Sequence, residues 1–382
     1  MRRPGLGSTR VLALAIGCLL ALAACGQSGD PQAGQSPFGP CGTSPGELVA
    51  AAQAEGTVNI IAAPTDWAGY GSIIDGFTAK YGIAVDSVLP ELDSFEELTI
   101  LRTWRGDPRF PDVVDLSPAA MDVAIDEGLI EPFRPPSAAL AAPEFVDAQG
   151  HWVSSYAGFL GFAVNGARVA TAPESWADLG KPEYRDAVAL RGDPRGSGVG
   201  TAAVTAAALA NGGSLGDITP GIEFFGRLWD DGNLRNGTAT VNDLRYGKAP
   251  ILIDWTYNIA ALNKSLVKEG DAYRVIYPAD GDYGMVYAQG LTDGAPHPCA
   301  GRLWIEYLMS PEVGIMRAQA GAVPPTIALL EEEARLDPTT RALLPPKGSI
   351  DALVFPSRDE ADAISSQIEE EWPVRLPDWK AS

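Results

Sequence analysis

Two short segments combine an acidic side chain with aromatic rings in a pattern that suits the binding of a cation. Residues 66–70 read Asp-Trp-Ala-Gly-Tyr, and residues 254–257 read Asp-Trp-Thr-Tyr. A carboxylate neutralises an ammonium group, and each aromatic face adds about 0.5–2 kcal/mol. Packing of the same rings inside the fold is the alternative. The side chains that we expect to contact a cation are Asp66, Trp67, Tyr70, Asp254, Trp255 and Tyr257.

A glycine-rich loop offers the complementary chemistry for an anion. Ser197 lies between Gly196 and Gly198, and Thr201 opens an alanine-rich helical pattern. Backbone N–H groups at a helix start attract phosphate, phosphonate or carboxylate groups. We expect Ser197 and Thr201 to hold an anionic group, with a plain capped turn as the alternative. A ligand that uses both sites would be a zwitterion, such as an aminophosphonate.

No residue pattern singles out a catalytic centre. Arg195 and Val199 stand where a Gly-x-Ser-x-Gly nucleophile motif around Ser197 would need glycines. The two histidines, His151 and His297, lie outside any cluster with metal-ligand spacing, and we expect both at the surface. Acid–base catalysis by paired carboxylates stays open in so acidic a chain, but no pair stands out. We therefore expect no enzyme activity, metal or cofactor, with a membrane-tethered hydrolase as the alternative.

The N-terminal residues predict export and a lipid anchor. Three arginines precede an apolar run at residues 11–22, which is too short to span a bilayer. Leu22, Ala23 and Ala24 then lead to Cys25, and this order resembles a bacterial lipobox, in which the cysteine is acylated, for example with palmitate. An ordinary secretory signal is the alternative. The Gly-, Ser- and Pro-rich residues that follow predict a flexible tether.

Charge and cysteine content narrow the class of protein further. The 382 residues carry a net charge of −21, so nucleic-acid binding, which requires a basic face, is not expected. Beyond the N-terminal segment only Cys41 and Cys299 remain. In an oxidising compartment they could form a disulfide, and two buried thiols are the alternative.

From Glu47 onward, short apolar runs alternate with helical patterns, which predicts an α/β fold. Apolar runs at 58–62, 83–89, 113–116, 161–164, 188–190, 251–253, 275–277 and 285–291 predict strands. A chain of this length exceeds what one core usually holds, so we expect two lobes. No linker divides the middle of the sequence, which indicates that the lobes are interwoven.

Several stretches, in their order along the chain, resemble type II periplasmic binding proteins. They are Gly56-Thr57-Val58, residues 74–85, residues 173–179, residues 193–201, Ser310-Pro311-Glu312 and Gly321-Ala322-Val323-Pro324. The group that binds ferric iron, thiamine, polyamines and aminophosphonates is the most similar. This resemblance implies a solute-binding subunit of an ABC importer that closes two α/β lobes on a small solute and delivers it to a permease driven by an ATPase.

The resemblance also implies a domain plan and a location outside the cytoplasm, on the membrane surface. Crossovers between the lobes are expected near residues 162–164 and 283–287, and the protein is expected to be a monomer. The expected segments are a signal peptide at 1–24, a tether at 25–45, lobe 1 at 46–162, lobe 2 at 163–282, and a return to lobe 1 with C-terminal helices at 283–382.

Ligands in such folds meet the carboxyl ends of strands, so five loops are expected to form the site. They span residues 64–70, 90–94, 117–119, 196–201 and 254–257, which adds Ser117 to the expected ligand-binding residues. Polyamine-binding members carry a cleft carboxylate near residues 283–288, and this sequence departs from that pattern with Val286 and Tyr287; Tyr287 is also among the expected ligand-binding residues. Ferric-iron members carry an adjacent tyrosine pair, which this sequence lacks. Ferric iron and thiamine are the alternative ligands.

Overall fold

The structure, a computed structural model, describes residues 37–266 and 273–381. The expected signal peptide, Cys25 and most of the tether lie outside the described residues. Two β-sheets with helices packed around them confirm the α/β prediction. Within the described ranges, no helix is long and apolar enough to cross a membrane.

The first sheet has the strand order β2-β1-β3-β11-β4. Its strands are β1 (Thr57–Ile61), β2 (Ala84–Val88), β3 (Val113–Leu116), β4 (Ile130–Glu131) and β11 (Ala288–Thr292). Strand β1 pairs in parallel with β2 and β3, whereas β11 runs antiparallel to β3 and β4. The carboxyl ends of β1, β2 and β3 therefore meet at one edge of this sheet.

The second sheet has the order β10-β5-β8-β6-β7, with β9 paired to β5. Its strands are β5 (Ala157–Asn165), β6 (Val188–Leu190), β7 (Leu234–Thr238), β8 (Ile251–Trp255), β9 (Tyr273–Ile276) and β10 (Gly284–Val286). Strand β6 pairs in parallel with β7 and β8, and β5 runs antiparallel to β8. The carboxyl ends of β6, β7 and β8 again share one edge.

Fourteen α-helices of the described residues connect and cover the sheets. They are α1 (Pro45–Glu55), α2 (Tyr70–Tyr81), α3 (Ser94–Thr103), α4 (Pro118–Asp126), α5 (Gly198–Ala210), α6 (Thr219–Asp230), α7 (Val241–Arg245), α8 (Thr256–Leu266), α9 (Pro298–Leu308), α10 (Pro311–Gln319), α11 (Ile327–Glu332), α12 (Pro338–Arg341), α13 (Lys347–Asp351) and α14 (Arg358–Arg375). Helix starts follow the capping rules: Ser44, Ser197 and Ser310 each accept a backbone N–H with the side chain.

The chain passes between the two sheets near Val153 and near Tyr287. Val153 bridges to Gln289 of the first sheet, and β5 of the second sheet begins at Ala157. The first crossover was expected near residues 162–164. These residues lie inside β5, a strand of nine residues that is buried along its whole length. The single strand expected at 285–291 is two strands in different sheets, β10 and β11, and Tyr287 lies between them.

The first and last parts of the described chain are tied to the core. Cys41 and Cys299 form a disulfide that joins the region before α1 to the start of α9. Helix α14 buries Ile364, Ile368 and Trp372. At its two ends, Arg358 pairs with Asp126 of α4 and Arg375 pairs with Asp230 of α6.

Candidate functional site

A cavity of about 560 Å³ lies between the carboxyl ends of the two sets of parallel strands. We call it the cleft. Segments that follow β1, β2 and β3 line it on one side, and segments that follow β6, β7 and β8 line it on the other. This is where α/β folds place ligands, because loops from several strands converge there. The charged residues that line the cleft are Asp66, Glu91, Asp93, Glu97, Asp115, Asp254 and Arg191.

Asp115, at the end of β3, is the most highly connected carboxylate of the cleft. One of its oxygens, Oδ2, accepts hydrogen bonds from the Tyr70 hydroxyl at 2.7 Å and the Tyr156 hydroxyl at 3.0 Å. The other, Oδ1, accepts one from the Gln289 amide. Burial raises the pKa of Asp115, while these donors and the nearby Arg317 guanidinium lower it. The network fixes the carboxylate rigidly at the cleft floor.

Arg317 lies behind this network and stacks on its tyrosines. The guanidinium is 4.2 Å from the ring centre of Tyr70 and 4.3 Å from that of Tyr156. It donates to the carbonyl of Ala68 at 2.7 Å and to Ser155 Oγ at 2.9 Å. Arg317 is not part of the cavity lining, but its charge is near enough to Asp115 to lower the pKa of that carboxyl group.

Glu97 is a second carboxyl group at the floor, and it is nearly without partners. Only 1% of its surface is exposed, and the one hydrogen bond to its side chain comes from the Asp115 backbone N–H at 3.4 Å. Burial, and then the charge of Asp115, raise the pKa of Glu97 well above its usual value. The floor therefore holds two buried carboxyl groups, and no cation of the described residues pairs directly with Glu97.

Asp254 faces the cleft from β8. Its Oδ1 accepts the backbone N–H of Trp255 at 2.7 Å and the Asn258 amide at 3.0 Å. Its Oδ2 is 3.6 Å from Nε of Arg191, an exposed residue at the end of β6. Burial raises the pKa of Asp254 to about 6, and Arg191 opposes this shift.

Aromatic side chains form the wall between the two carboxylate groups. Trp67, Tyr156 and Tyr287 line the cavity. The rings of Tyr156 and Tyr287 stack with centres 5.6 Å apart, and Trp67 meets Tyr287 edge-on at 5.9 Å. The Trp67 indole N–H donates to the Tyr156 hydroxyl at 2.9 Å, which extends the Asp115 network into this wall.

The structure brings four of the ten predicted ligand-binding residues to the cleft and places six elsewhere. Asp66, Trp67, Asp254 and Tyr287 line the cavity. The six that do not line it are Tyr70, Ser117, Ser197, Thr201, Trp255 and Tyr257.

The three aromatic residues of that second set are buried behind the wall. Tyr70 supports Asp115 by a hydrogen bond. Trp255 follows Asp254 in the strand and faces the opposite way, where its ring packs against Gly158. Tyr257 packs against Trp67 with ring centres 5.1 Å apart. These residues position the cleft residues and do not form its surface.

The hydroxyl groups of the second set are used in local capping. Ser197 Oγ accepts the Gly200 N–H at 3.1 Å and donates to the Asp193 carbonyl at 3.0 Å. The Thr201 hydroxyl donates to the Pro194 carbonyl at 3.0 Å. Ser117 begins α4, and its N–H donates to Ser94 Oγ. The glycine-rich loop thus forms a capped helix start, and no contact with the cleft cavity is seen.

Sequence reasoning missed several residues that line the cleft. Glu97, Asp115, Tyr156 and Arg191 all line it, as do residues 240–242 at the start of α7. Asp115 and Arg191 lie at the carboxyl ends of predicted strands, so the strand-end rule could have found them. Glu97 and Tyr156 carry no local signal, because only the tertiary fold brings them to the floor.

Both histidines lie away from the cleft lining, and neither is a fully exposed surface residue. Nδ1 of His297 is 3.0 Å from the buried Asp112, and Nδ1 of His151 is 3.1 Å from Asp147. Within the described ranges, no group of three or more His, Cys, Asp and Glu residues is arranged to hold a metal ion.

Comparison with known structures shows the same fold in several binding proteins. Iron-bound HitA from Pseudomonas aeruginosa has a TM-score of 0.62 at 18% identity, covering 84% of this chain and 99% of that one. AfuA from Actinobacillus pleuropneumoniae, with fructose-6-phosphate bound, gives 0.63 at 19% identity and 82% and 98% coverage. The spermidine/putrescine ABC transporter substrate-binding protein PotD from Streptococcus pneumoniae gives 0.63 at 16% identity and 84% and 99% coverage. These identities are low, so the likeness is one of fold.

The family comparison is more direct. None of the curated proteins compared with the chain matches it. The family described as bacterial extracellular solute-binding protein matches residues 109–344, which is more than half of the chain. The family consists of solute-binding proteins and not of enzymes, and those of ABC importers work with permease and ATPase subunits. The chain therefore belongs to the bacterial extracellular solute-binding protein family and has the two-lobed type II fold of ABC-transporter binding proteins.

Proposed function

We propose that this protein captures a small organic cation, or a zwitterion with a cationic end, for an ABC importer. The observation that carries the proposal is the charge of the cleft: among the residues that the structure describes, six carboxyl side chains and a single guanidinium line one cavity. A cation would be held among carboxylates at a floor that water reaches poorly, where charge pairing is stronger than in bulk solvent. Polyamine-like and aminophosphonate-like solutes are the ligand classes that fit.

The arrangement of the groups supports a ligand with a distinct cationic end. An ammonium group near Asp115 and Glu97 would also meet the aromatic wall, where each ring face contributes about 0.5–2 kcal/mol. Arg191 lies across the cleft beside Asp254. An anionic group on the same ligand would find its partner in that guanidinium, which matches a zwitterion.

The test is a binding screen of the protein from residue 37 onward. Thermal shift followed by calorimetry would use spermidine, putrescine, aminoethylphosphonate and thiamine as organic cations, with ferric iron and fructose-6-phosphate as the competing classes. A ligand at 100 times its Kd should stabilise the fold by about 2.7 kcal/mol. Binding by an amine-bearing compound supports the proposal. Binding by the sugar phosphate or ferric iron alone contradicts it.

A charge-neutral variant sharpens this screen. Asp115→Asn should weaken binding of the amine strongly, because it removes a carboxylate held at the floor by three donors. Asp75→Asn, at an exposed position of α2, removes the same charge away from the cleft and should leave binding unchanged. Equal affinities of the two variants would show that the floor is not the cation site.

We further propose that acylated Cys25 anchors the protein outside the cytoplasm, and that the monomeric protein delivers its solute to a permease. The lipobox-like order before Cys25 supports the anchor. Membrane fractionation of the full-length chain tests it, since Cys25→Ser should move the protein into the soluble fraction. Unchanged fractionation would contradict the anchor without affecting the binding proposal.

A further inference from the structure

A second concavity lies at the opposite edge of the second sheet from the cleft. It has a volume of about 520 Å³. Ala187 and Pro250, which line it, directly precede β6 and β8, and Arg235 is the second residue of β7. The cleft lies at the carboxyl ends of these strands, so this concavity, which we call the basic hollow, faces away from it.

The basic hollow differs from the rest of the protein in its charge. Among the described residues, four cationic side chains line it together with two carboxylates: Arg168, Arg185, Arg235 and Lys248, with Glu183 and Asp186. The whole chain carries a net charge of −21. A concave surface with an excess of cations in so acidic a chain concentrates positive potential where an anion can be partly enclosed.

Two of these four cations are already paired. Arg235 lies 2.8 Å from the Asp186 carboxylate and donates to the Asp186 carbonyl at 2.9 Å. Lys248 Nζ lies 3.6 Å from Asp243 Oδ1. In the described part of the chain, neither Arg168 nor Arg185 has a side-chain hydrogen bond or ion pair. The hollow therefore offers two guanidinium groups whose donors are not satisfied by protein atoms.

The side chains of both free arginines lie over glycines. A Cβ on Gly247 would stand 2.6 Å from Arg168 Nε, and a Cβ on Gly232 would stand 3.2 Å from Arg185 Nη1. Both glycines have left-handed backbone angles, with φ values of 71° and 74°. Glycine at these turns leaves room for the arginines to lie along the surface of the hollow.

The backbone of the hollow is also unusual at Asp186. This residue has φ 56° without being a glycine, a conformation that is disfavoured for residues with a Cβ. Its N–H donates to the Gly232 carbonyl at 2.8 Å, which ties the turn to the start of β7.

We propose that the basic hollow binds a phosphate group. A planar guanidinium presents two parallel N–H donors that match two phosphate oxygens, and Arg168 and Arg185 hold such donors unused. A phosphate anion would also offset the excess of cations in the hollow, which the pairing of Lys248 with Asp243 already reduces in part. The group could belong to a free phosphate compound or to the headgroup of an anionic phospholipid, and the two sources share this chemistry. The site is independent of the solute that the cleft takes.

The test uses inorganic phosphate and vesicles as separate probes on the protein from residue 37 onward. Phosphate binding is followed by ³¹P line broadening, and membrane binding by co-sedimentation with phosphatidylglycerol–phosphatidylcholine vesicles. Arg168→Gln/Arg185→Gln is compared with Arg109→Gln/Arg335→Gln, which removes two exposed charges elsewhere. Each variant is checked for wild-type thermal stability.

The expected result is that the hollow variant binds about tenfold more weakly or worse, while the control variant matches the wild type. Loss of phosphate binding identifies a free anion as the source. Loss of vesicle binding alone identifies a lipid headgroup. No binding of either probe to the wild type, or equal weakening in both double variants, overturns the proposal. Binding of amines to the cleft is measured separately, and its result does not affect the conclusion about the basic hollow.

Discussion

Binding of a cation at the cleft floor should release a proton from Glu97. In the free protein Glu97 is buried beside Asp115, and burial with that neighbouring charge raises its pKa well above the usual value. Glu97 therefore keeps its proton to a higher pH than an ordinary glutamate does. An ammonium group placed between the two carboxyl groups favours the ionised form of both, so the proton leaves as the ligand enters.

The size of the effect follows from the distance between charges. A carboxylate and an ammonium about 4 Å apart, at an effective dielectric constant near 20, attract each other by about 4 kcal/mol. That attraction lowers a carboxyl pKa by about three pH units. Between the pKa of the ligand-bound state and that of the free state, the association constant should rise by up to about tenfold for each unit of pH.

Calorimetry in two buffers with different ionisation enthalpies measures this proton directly. The observed binding enthalpy should differ between the buffers by the number of released protons times the difference in ionisation enthalpy. Glu97→Gln keeps the shape of the side chain and cannot ionise, so its proton release and pH dependence should both disappear. Glu370→Gln, at an exposed position of α14, is the matched control and should behave like the wild type.

One outcome would refute the reasoning. If the wild type binds the amine with no proton release near pH 7, and Glu97→Gln binds with the same affinity and pH dependence, Glu97 is not part of the cation site. Proton release that persists in Glu97→Gln would assign the linkage to another group, with Asp254 as the first to examine, because its pKa is raised to about 6.

Three further predictions follow from the described contacts. In the folded protein the pKa of Asp254 is raised to about 6, so its contribution to stability is complete below about pH 4 and is lost as the pH rises through 6. Asp254→Asn should therefore be more stable than the wild type at pH 8, by up to about 3 kcal/mol in unfolding free energy, and should show no such gain at pH 4. Thermal melts at the two pH values measure this difference. Trp67→Ala should weaken amine binding by about tenfold in a protein that is less stable but still folded, since Trp67 both lines the cavity and packs on Tyr257, and wild-type affinity would contradict the aromatic wall. Cys41→Ser/Cys299→Ser should lower the unfolding free energy by as much as about 5 kcal/mol in denaturant melts, because the bond closes a loop with a sequence separation of 258, and a melt like that of the wild type would contradict this.

The sequence was sufficient to predict the α/β class and most of the strands, because buried strands leave short apolar runs between helical patterns. It could not show that residues 285–291 divide between two sheets. The run is apolar on both sides of Tyr287, and only the pairing partners, Gly158 for Met285 and Leu116 for Ala288, separate the two strands. The short strands β4 and β7 were also missed, since neither is a continuous apolar run.

The candidate site was predicted less completely, and residues 254–257 show the reason. Asp254 and Trp255 are neighbours in sequence, but successive side chains of a strand point to opposite faces, so only Asp254 reaches the cavity. Asn258, four residues on, returns to the same side and donates to Asp254. Composition alone grouped the aromatic residues with the acid, whereas strand alternation separates them.

The tyrosines near Trp67 also could not be assigned to the site from the sequence, because they are far apart along the chain. The sequence has no adjacent tyrosine pair, yet Tyr156, Tyr257 and Tyr287 come together across 131 positions of sequence around Trp67. Two of them enter the site from the chain segments that pass between the sheets, Tyr156 before β5 and Tyr287 between β10 and β11. Such contacts depend on the fold as a whole.

The buried carboxyl groups of the cleft should lower the unfolding free energy of the ligand-free protein. Glu97 and Asp254 both have raised pKa values because burial disfavours their charged forms. Near neutral pH the free protein must either keep a proton on these groups or hold a poorly solvated charge, and each option costs stability. If the proposed cation binds here, it removes that cost, and part of its binding free energy then comes from relief of the ligand-free state. Asp254 is held by two hydrogen bonds of the fold, whereas Glu97 accepts a single long one, so the acidity of Glu97 in particular fits the proposed cationic ligand better than a structural role.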